Sequence, residues 1–186
     1  MTEPLSLLDP DVRAVVAAQR LCFAATVSPA GEPNLSPKGT IRIEDDQHLW
    51  FLDIASPATV RNLRANPAIE LNVVDPISRR GYRFRGTAML HPPGDPVFEG
   101  AVERIAREEG VRYHADTVVR VRVRETRPLW SPGYDHLPDE AAMRALWAAR
   151  RAALDAGFEA HLARHGGFVV PPGDAPGEPA ARSPRR

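Results

Sequence analysis

The sequence predicts an α+β chain that is mainly β: an antiparallel barrel of six short strands with helices at its periphery. Three observations carry this. Apolar and polar residues alternate with a period of two in short separate runs, which puts successive side chains on opposite faces of a strand. Most of those runs are joined by turn-forming residues, which favours hairpins. Three of the Asp-Pro and Ser-Pro pairs, Asp9-Pro10, Ser56-Pro57 and Asp95-Pro96, each combine an N-cap residue with proline at the first position of a helix. A doubly wound parallel sheet would need strands and helices in strict alternation, and that pattern is missing.

Taken in order, Asp9-Pro10 opens a helix over Pro10 to about Arg20, with Val12, Val15 and Val16 on one face. Leu21 to Ser28 is rich in small and β-branched residues and reads as a strand, with Pro29-Ala30-Gly31-Glu32 as its hairpin turn. Asn34 to Ile43 alternates Asn34, Ser36, Lys38, Thr40 and Arg42 against Leu35, Ile41 and Ile43. Asp45-Asp46-Gln47 turns the chain into a strand over His48 to Ile54. Ser56-Pro57 opens a second helix to Ala65, stopped at Asn66-Pro67. Strands follow over Ile69 to Val73 and Tyr82 to Leu90. Asp95-Pro96 opens a third helix to about Glu109, with Gly110 as its stop. The last strand, Thr117 to about Glu125, alternates Val119, Val121 and Val123 with Arg120, Arg122 and Arg124, a solvated or intersubunit face. Pro138 to about His165 reads as a helix with Gly157 as a candidate break. These elements form one domain over residues 1–165. Residues 166–186 shift to Pro, Gly, Ala and Arg, the composition of a disordered tail.

Composition narrows the function. The chain has 186 residues, and 24 basic side chains balance 24 acidic ones. Such neutrality excludes a protein whose main task is gripping phosphate backbones. No apolar run approaches the roughly 20 residues that span a bilayer. Met1 to Leu8 lacks the basic start and apolar core of a signal peptide. The single cysteine, Cys22, has no internal partner and sits in an apolar strand, as an inert thiol in a reducing cytoplasm would. A cytoplasmic globular protein is expected.

Few residues advertise chemistry. There is no G-x-G-x-x-G, no Walker A loop, no C-x-x-C and no G-x-S-x-G elbow. His161 and His165 are four apart on a helix, but no third ligand is suggested and no metal is expected. The informative constellation is Asn34-Leu35-Ser36-Pro37-Lys38-Gly39-Thr40 followed by His48 to Asp53 and Ser56-Pro57-Ala58-Thr59. The strand presents hydroxyls, an amide and an ammonium on one face, while Pro37 and Gly39 are unusual inside a strand. The helix start offers unpaired N–H groups and the positive end of the dipole, a ready phosphate site to which Lys38 adds charge. On these residues alone an ordinary Ser N-cap beside a solvated strand face remains open. Phe23, Phe51, Tyr82 and Phe84 fall where barrels place core. Trp130, just after the last strand, suits a packed corner, an interface or a cofactor lid.

Several segments in order carry a resemblance. Phe23-Ala-Ala-Thr-Val through Lys38-Gly-Thr, then Leu49-Trp-Phe-Leu-Asp, then Ser56-Pro-Ala-Thr-Val-Arg-Asn-Leu-Arg-Ala-Asn-Pro, are similar to the pyridoxamine 5'-phosphate oxidase-like flavoproteins. Asn72-Val-Val-Asp-Pro, Gly81-Tyr-Arg-Phe-Arg-Gly-Thr-Ala and Trp130-Ser-Pro-Gly-Tyr-Asp continue it. The resemblance implies a six-stranded split barrel that dimerises and binds FMN at the subunit interface. Ser36, Pro37, Lys38, Gly39 and Thr40 would lie along the flavin, Leu52 and Asp53 would flank the ribityl chain, and Ser56, Ala58 and Thr59 would hold the phosphate. The vitamin-oxidising members carry basic residues at that helix start, whereas Ala58 and Thr59 supply none. Lys38, the helix N-terminus and Arg61 would then carry the phosphate charge. No C-terminal segment matches the substrate-phosphate residues of the vitamin oxidase, which argues against pyridoxamine phosphate as substrate. The implied activity is FMN-dependent hydride transfer to or from an unidentified small molecule, with no protein residue assigned to proton transfer. Holding flavin or haem without turnover is the alternative, as is a deazaflavin-dependent reductase.

Overall fold

The strand expected over Asn34 to Ile43 is two strands, and the break between them organises the molecule. The computed structural model describes residues 7–165. It contains α1 (Pro10–Gln19), β1 (Cys22–Val27), β2 (Pro33–Lys38), β3 (Arg42–Ile43), β4 (His48–Asp53), α2 (Pro57–Ala65), β5 (Ala68–Asp75), β6 (Arg80–His91), α3 (Pro96–Glu109), β7 (Thr117–Trp130) and α4 (Glu140–His165), with a 3-10 turn at Pro132–Asp135. Seven strands replace the six expected, in the order β2-β1-β5-β6-β7-β4-β3, and every recorded pairing is antiparallel.

β2 and β3 therefore lie at opposite edges of one sheet, yet only Gly39, Thr40 and Ile41 separate them in the chain. Such a short link forces the sheet to curl until its edges approach, and β2 comes to lie against β4. This is a split barrel. Where the ladder is interrupted, the Thr40 hydroxyl accepts the Leu52 N–H at 2.9 Å and replaces a strand bond.

The core explains why β4 shows no alternation. Leu49 and Phe51 point into the barrel with Leu71, Val73, Phe84, Val119 and Val121, and that cluster is covered by Val12 and Val16 of α1 and by Leu8 just before it. Trp50 and Leu52 point the other way, against Phe98, Val102 and Ile105 of α3. A strand buried on both faces reads as a continuous apolar run. The helix starts follow the sequence closely: Asp9 and Asp95 cap α1 and α3 by accepting the N–H groups of Val12 and Val97.

The final strand is longer than its alternation suggests. β7 continues past Glu125 to Trp130, following the long β6 through an irregularity at Arg85/Gly86. At that bulge a side chain on Gly86 would place its Cβ 2.5 Å from the Arg122 carbonyl oxygen, so glycine is required for the strands to approach. Trp130 is thus a strand residue, 57% exposed, in an edge-to-face contact with Tyr134 and under the Arg80 guanidinium. Of the aromatic residues expected in the core, Phe51 and Phe84 are fully buried, Tyr82 is partly so, and Phe23 is 43% exposed on the outer face.

α3 is also held by charge. Arg42, itself buried, donates to Glu108 at 2.7 Å and to Glu109 at 2.6 Å. Arg104 and Arg42 together hold the Glu108 carboxyl down to about 2, from an ordinary 4.5. A depressed carboxylate stabilises the fold above its unfolded value and loses that contribution as acid approaches its folded value. Melting temperature should therefore fall between about pH 4.5 and 2, and Glu108→Gln should flatten that limb. An acid limb identical in the variant would show that Glu108 contributes nothing to it.

The chain divides into two compact units, one up to Ala145 and one from Leu146. In the first, Met143 at the start of α4 is fully buried. In the second, α4 runs through Gly157 without a break to His165, Arg151 pairs with Asp155, and Leu154 and Phe158 are exposed. The expected tail over 166–186 lies outside the described residues.

Candidate functional site

The polar side chains of β2 face inward, toward β4 and the start of α2, rather than into solvent. Register fixes this: Ser36 opposes Ala24 and Lys38 opposes Cys22 of β1, both inward and buried, whereas Pro37 opposes the exposed Phe23. Leu35 is accordingly 66% exposed, the reverse of what an apolar strand residue would suggest.

Four predicted residues meet at one point. The Lys38 ammonium donates to Asp53 Oδ1 at 2.6 Å and to Ser56 Oγ at 2.5 Å. Ser36 Oγ lies 3.0 Å from Ser56 Oγ. Lys38 and Asp53 side chains are 3% and 2% exposed, so the pair is shielded from water, with the Phe51 ring 5.4 Å beneath the ammonium. Lys38 is therefore not the open cation that the sequence suggests. A carboxylate from the end of β4 already holds it.

The start of α2 is open in a different sense. Ser56 spends its hydroxyl on Lys38 and Ser36 and gives the helix no side-chain cap, and Pro57 occupies the first turn. The N–H groups of that turn are left without the side-chain acceptor that usually satisfies them. Ala58, partly exposed, belongs to this turn, and Arg61 is exposed one turn further on.

The remaining predicted residues are placed around this point. Thr59 is fully buried behind it, its hydroxyl accepting from Asn34 Nδ2 at 3.2 Å. Thr40 bonds the Leu52 backbone, Leu52 itself packs toward α3, Gly39 is exposed in the link, and Pro37 is exposed on the outer face. Sequence reasoning missed the polar ladder that fixes α2. Asn34 and Asn62 both donate to Thr26 Oγ1. The shared strand face of Asn34, Ser36 and Lys38 was the only available signal. It also missed that Asp53 pairs with Lys38, since residues fifteen apart on different strands carry no spacing signature. Cys22, fully buried beside Lys38, has its thiol pushed up to about 12 by burial, partly offset by the Lys38 charge. It is no nucleophile at neutral pH.

A family model described as pyridoxamine 5'-phosphate oxidase matches residues 8–130, from before α1 to the end of β7. The chain belongs to the pyridoxamine 5'-phosphate oxidase family. Solved structures agree with the fold. HupZ of Group A Streptococcus is 29% identical with a TM-score of 0.59, over 66% of this chain and 94% of that one. HutZ, described as the heme storage protein from Vibrio cholerae, is 15% identical with a TM-score of 0.55, over 66% and 94%. An FMN-binding protein from Syntrophomonas wolfei subsp. wolfei is 13% identical with a TM-score of 0.55, over 63% and 82%. No curated protein matches this sequence. HutZ and the Syntrophomonas protein share the fold with this chain. Among the described residues no His, Cys, Asp and Glu cluster could hold a metal ion, and no helix is long and apolar enough to cross a membrane.

Proposed function

We propose that this chain is an FMN-dependent oxidoreductase whose cofactor lies where β2, the end of β4 and the start of α2 meet, in a homodimer that completes the site. The observation that carries this reading is the uncapped first turn of α2 beside the Ser36, Lys38 and Ser56 polar cluster. Those residues fit the group in kind: backbone N–H groups at a helix start suit a phosphate, and serine hydroxyls suit a polyol or phosphate oxygen. When bound, the flavin supplies the hydride chemistry. The residues of this chain bind it, orient it and keep water from the buried pair. Two things support the second subunit. The outer face of β1 and β2 is apolar and exposed through Phe23, Val27, Leu35 and the flanking prolines 33 and 37. A groove of about 850 Å³ lies beside it, between Val27 and Pro33 on one side and Arg85 and Arg124 on the other. A buried, unpaired cysteine is consistent with a cytoplasmic setting. The small molecule that exchanges hydride with the flavin is a substrate of unspecified class, and neither nucleic acid nor membrane is a partner in this reading.

Titrating FMN into the purified chain should quench flavin fluorescence to saturation at one FMN per protomer, and sedimentation should give twice the protomer mass. Absence of any saturable quenching would overturn the flavin reading. A second reading is non-catalytic binding of haem or flavin, favoured by the absence of a basic side chain at Ala58 and Thr59 and by the fold shared with HutZ. Haem binding without flavin quenching would select it. Bound FMN that NAD(P)H does not reduce would point to carriage. Tighter binding of a deazaflavin than of FMN would select the deazaflavin-dependent reductase.

A further inference from the structure

The buried Lys38–Asp53 pair makes the site different from one built around an open cation. Its Nζ–Oδ1 distance is 2.6 Å and neither side chain exceeds 3% exposure, so the two charges cancel where water does not screen them. An ammonium has three donors, and two are committed, to Asp53 and to Ser56. An anion arriving beside Ser36 and Ser56 meets a lysine whose charge is already balanced by a carboxylate at hydrogen-bond distance from the same nitrogen. Bringing a second negative charge near Asp53 in a poorly screened environment is costly, and that cost offsets much of what Lys38 offers.

We propose that Asp53 sets the ligand selectivity of this site: by neutralising Lys38 it shifts recognition away from the charge of a phosphate and toward uncharged hydroxyls. The proposal rests on the reading that a flavin lies at the start of α2. In its terms the wild-type site has only a weak preference for FMN over riboflavin, which shares the ring and the polyol but lacks the phosphate. The serine hydroxyls supply the affinity that both flavins share, and the N–H groups at the helix start supply the phosphate preference that remains.

The test compares FMN and riboflavin affinities, by fluorescence quenching, for the wild type, Asp53→Asn, and the double variant Lys38→Met with Asp53→Leu. Asparagine keeps the shape and an acceptor for Lys38 but removes the charge. Asp53→Asn should raise the FMN-to-riboflavin preference about tenfold, the scale of a hydrogen bond gaining a full charge. Riboflavin affinity should change by less than FMN affinity does. The double variant removes a neutral pair and should keep the wild-type ratio, and thermal melting establishes that it is folded. A ratio unchanged in Asp53→Asn, or a double variant that loses the wild-type preference, overturns the proposal. Inorganic phosphate provides an arm independent of flavin: it should raise the melting temperature of Asp53→Asn by more than that of the wild type. If neither flavin binds the wild type, the functional reading fails, and the phosphate arm still decides the role of Asp53. Equal phosphate stabilisation of both proteins would overturn that role.

Discussion

Replacing Lys38 by methionine is expected to destabilise the protein by about 3–5 kcal/mol, because it strands the Asp53 carboxylate in a buried site. Methionine matches the length and apolar stem of lysine, so little packing is lost. What is lost is the charge and the donors that make Asp53 tolerable at 1% exposure. The two hydroxyls near it, Ser56 and Ser36, already engage one another. Denaturation midpoints in urea, with the slope unchanged, measure the effect. Exchanging both partners for Met and Leu should be close to neutral, since well-packed apolar residues replace a buried pair without leaving a charge behind. A loss below about 1 kcal/mol for the single change would mean that water reaches Asp53 and the pair is not sealed.

Truncating Phe51 to alanine should cost a similar 3–5 kcal/mol, for a different reason. The ring is fully buried at the centre of β4, packed in the barrel core with Leu49, Leu71 and Phe84. The space left by the ring adds a cavity term to the lost transfer energy. The ring also lies 5.4 Å from the Lys38 ammonium, a cation–π contact that the truncation removes. Measured stability loss under about 2 kcal/mol would show that the core relaxes around β4 and that the barrel is looser than its packing implies.

The helices were the most legible part of the sequence, because their starts are chemical. Asp9-Pro10, Ser56-Pro57 and Asp95-Pro96 place proline where α1, α2 and α3 begin. Yet Ser56 shows how a correct boundary can carry the wrong chemistry: it starts the helix but turns its hydroxyl to Lys38 instead of capping. The strands were legible where one face is wet, as in β5, and misleading where that rule fails. β2 hides its polar face and exposes Leu35, so alternation gave the faces without saying which was inside. The separation of β2 from β3 has no local signature beyond Gly39, because it is decided by pairing with β1 and β4 at the two edges of the sheet. The candidate site was legible as a set of residues on one strand face and one helix start. Its electrostatics were not, since the carboxylate that balances Lys38 arrives from another strand.

The break at Gly39 also makes the barrel a clasp. Two edges of one sheet are held near each other by three residues of chain and by the Thr40 hydroxyl on the Leu52 amide. Ser36, Lys38, Asp53 and Ser56 lie across the seam, joining β2 to the end of β4 and the entry of α2. Anything that binds these residues fastens the two edges together. Ligand affinity and the work of prying the barrel open are then one quantity read from two ends, and a loosened seam weakens the grip on the ligand by the amount that an occupied one resists opening.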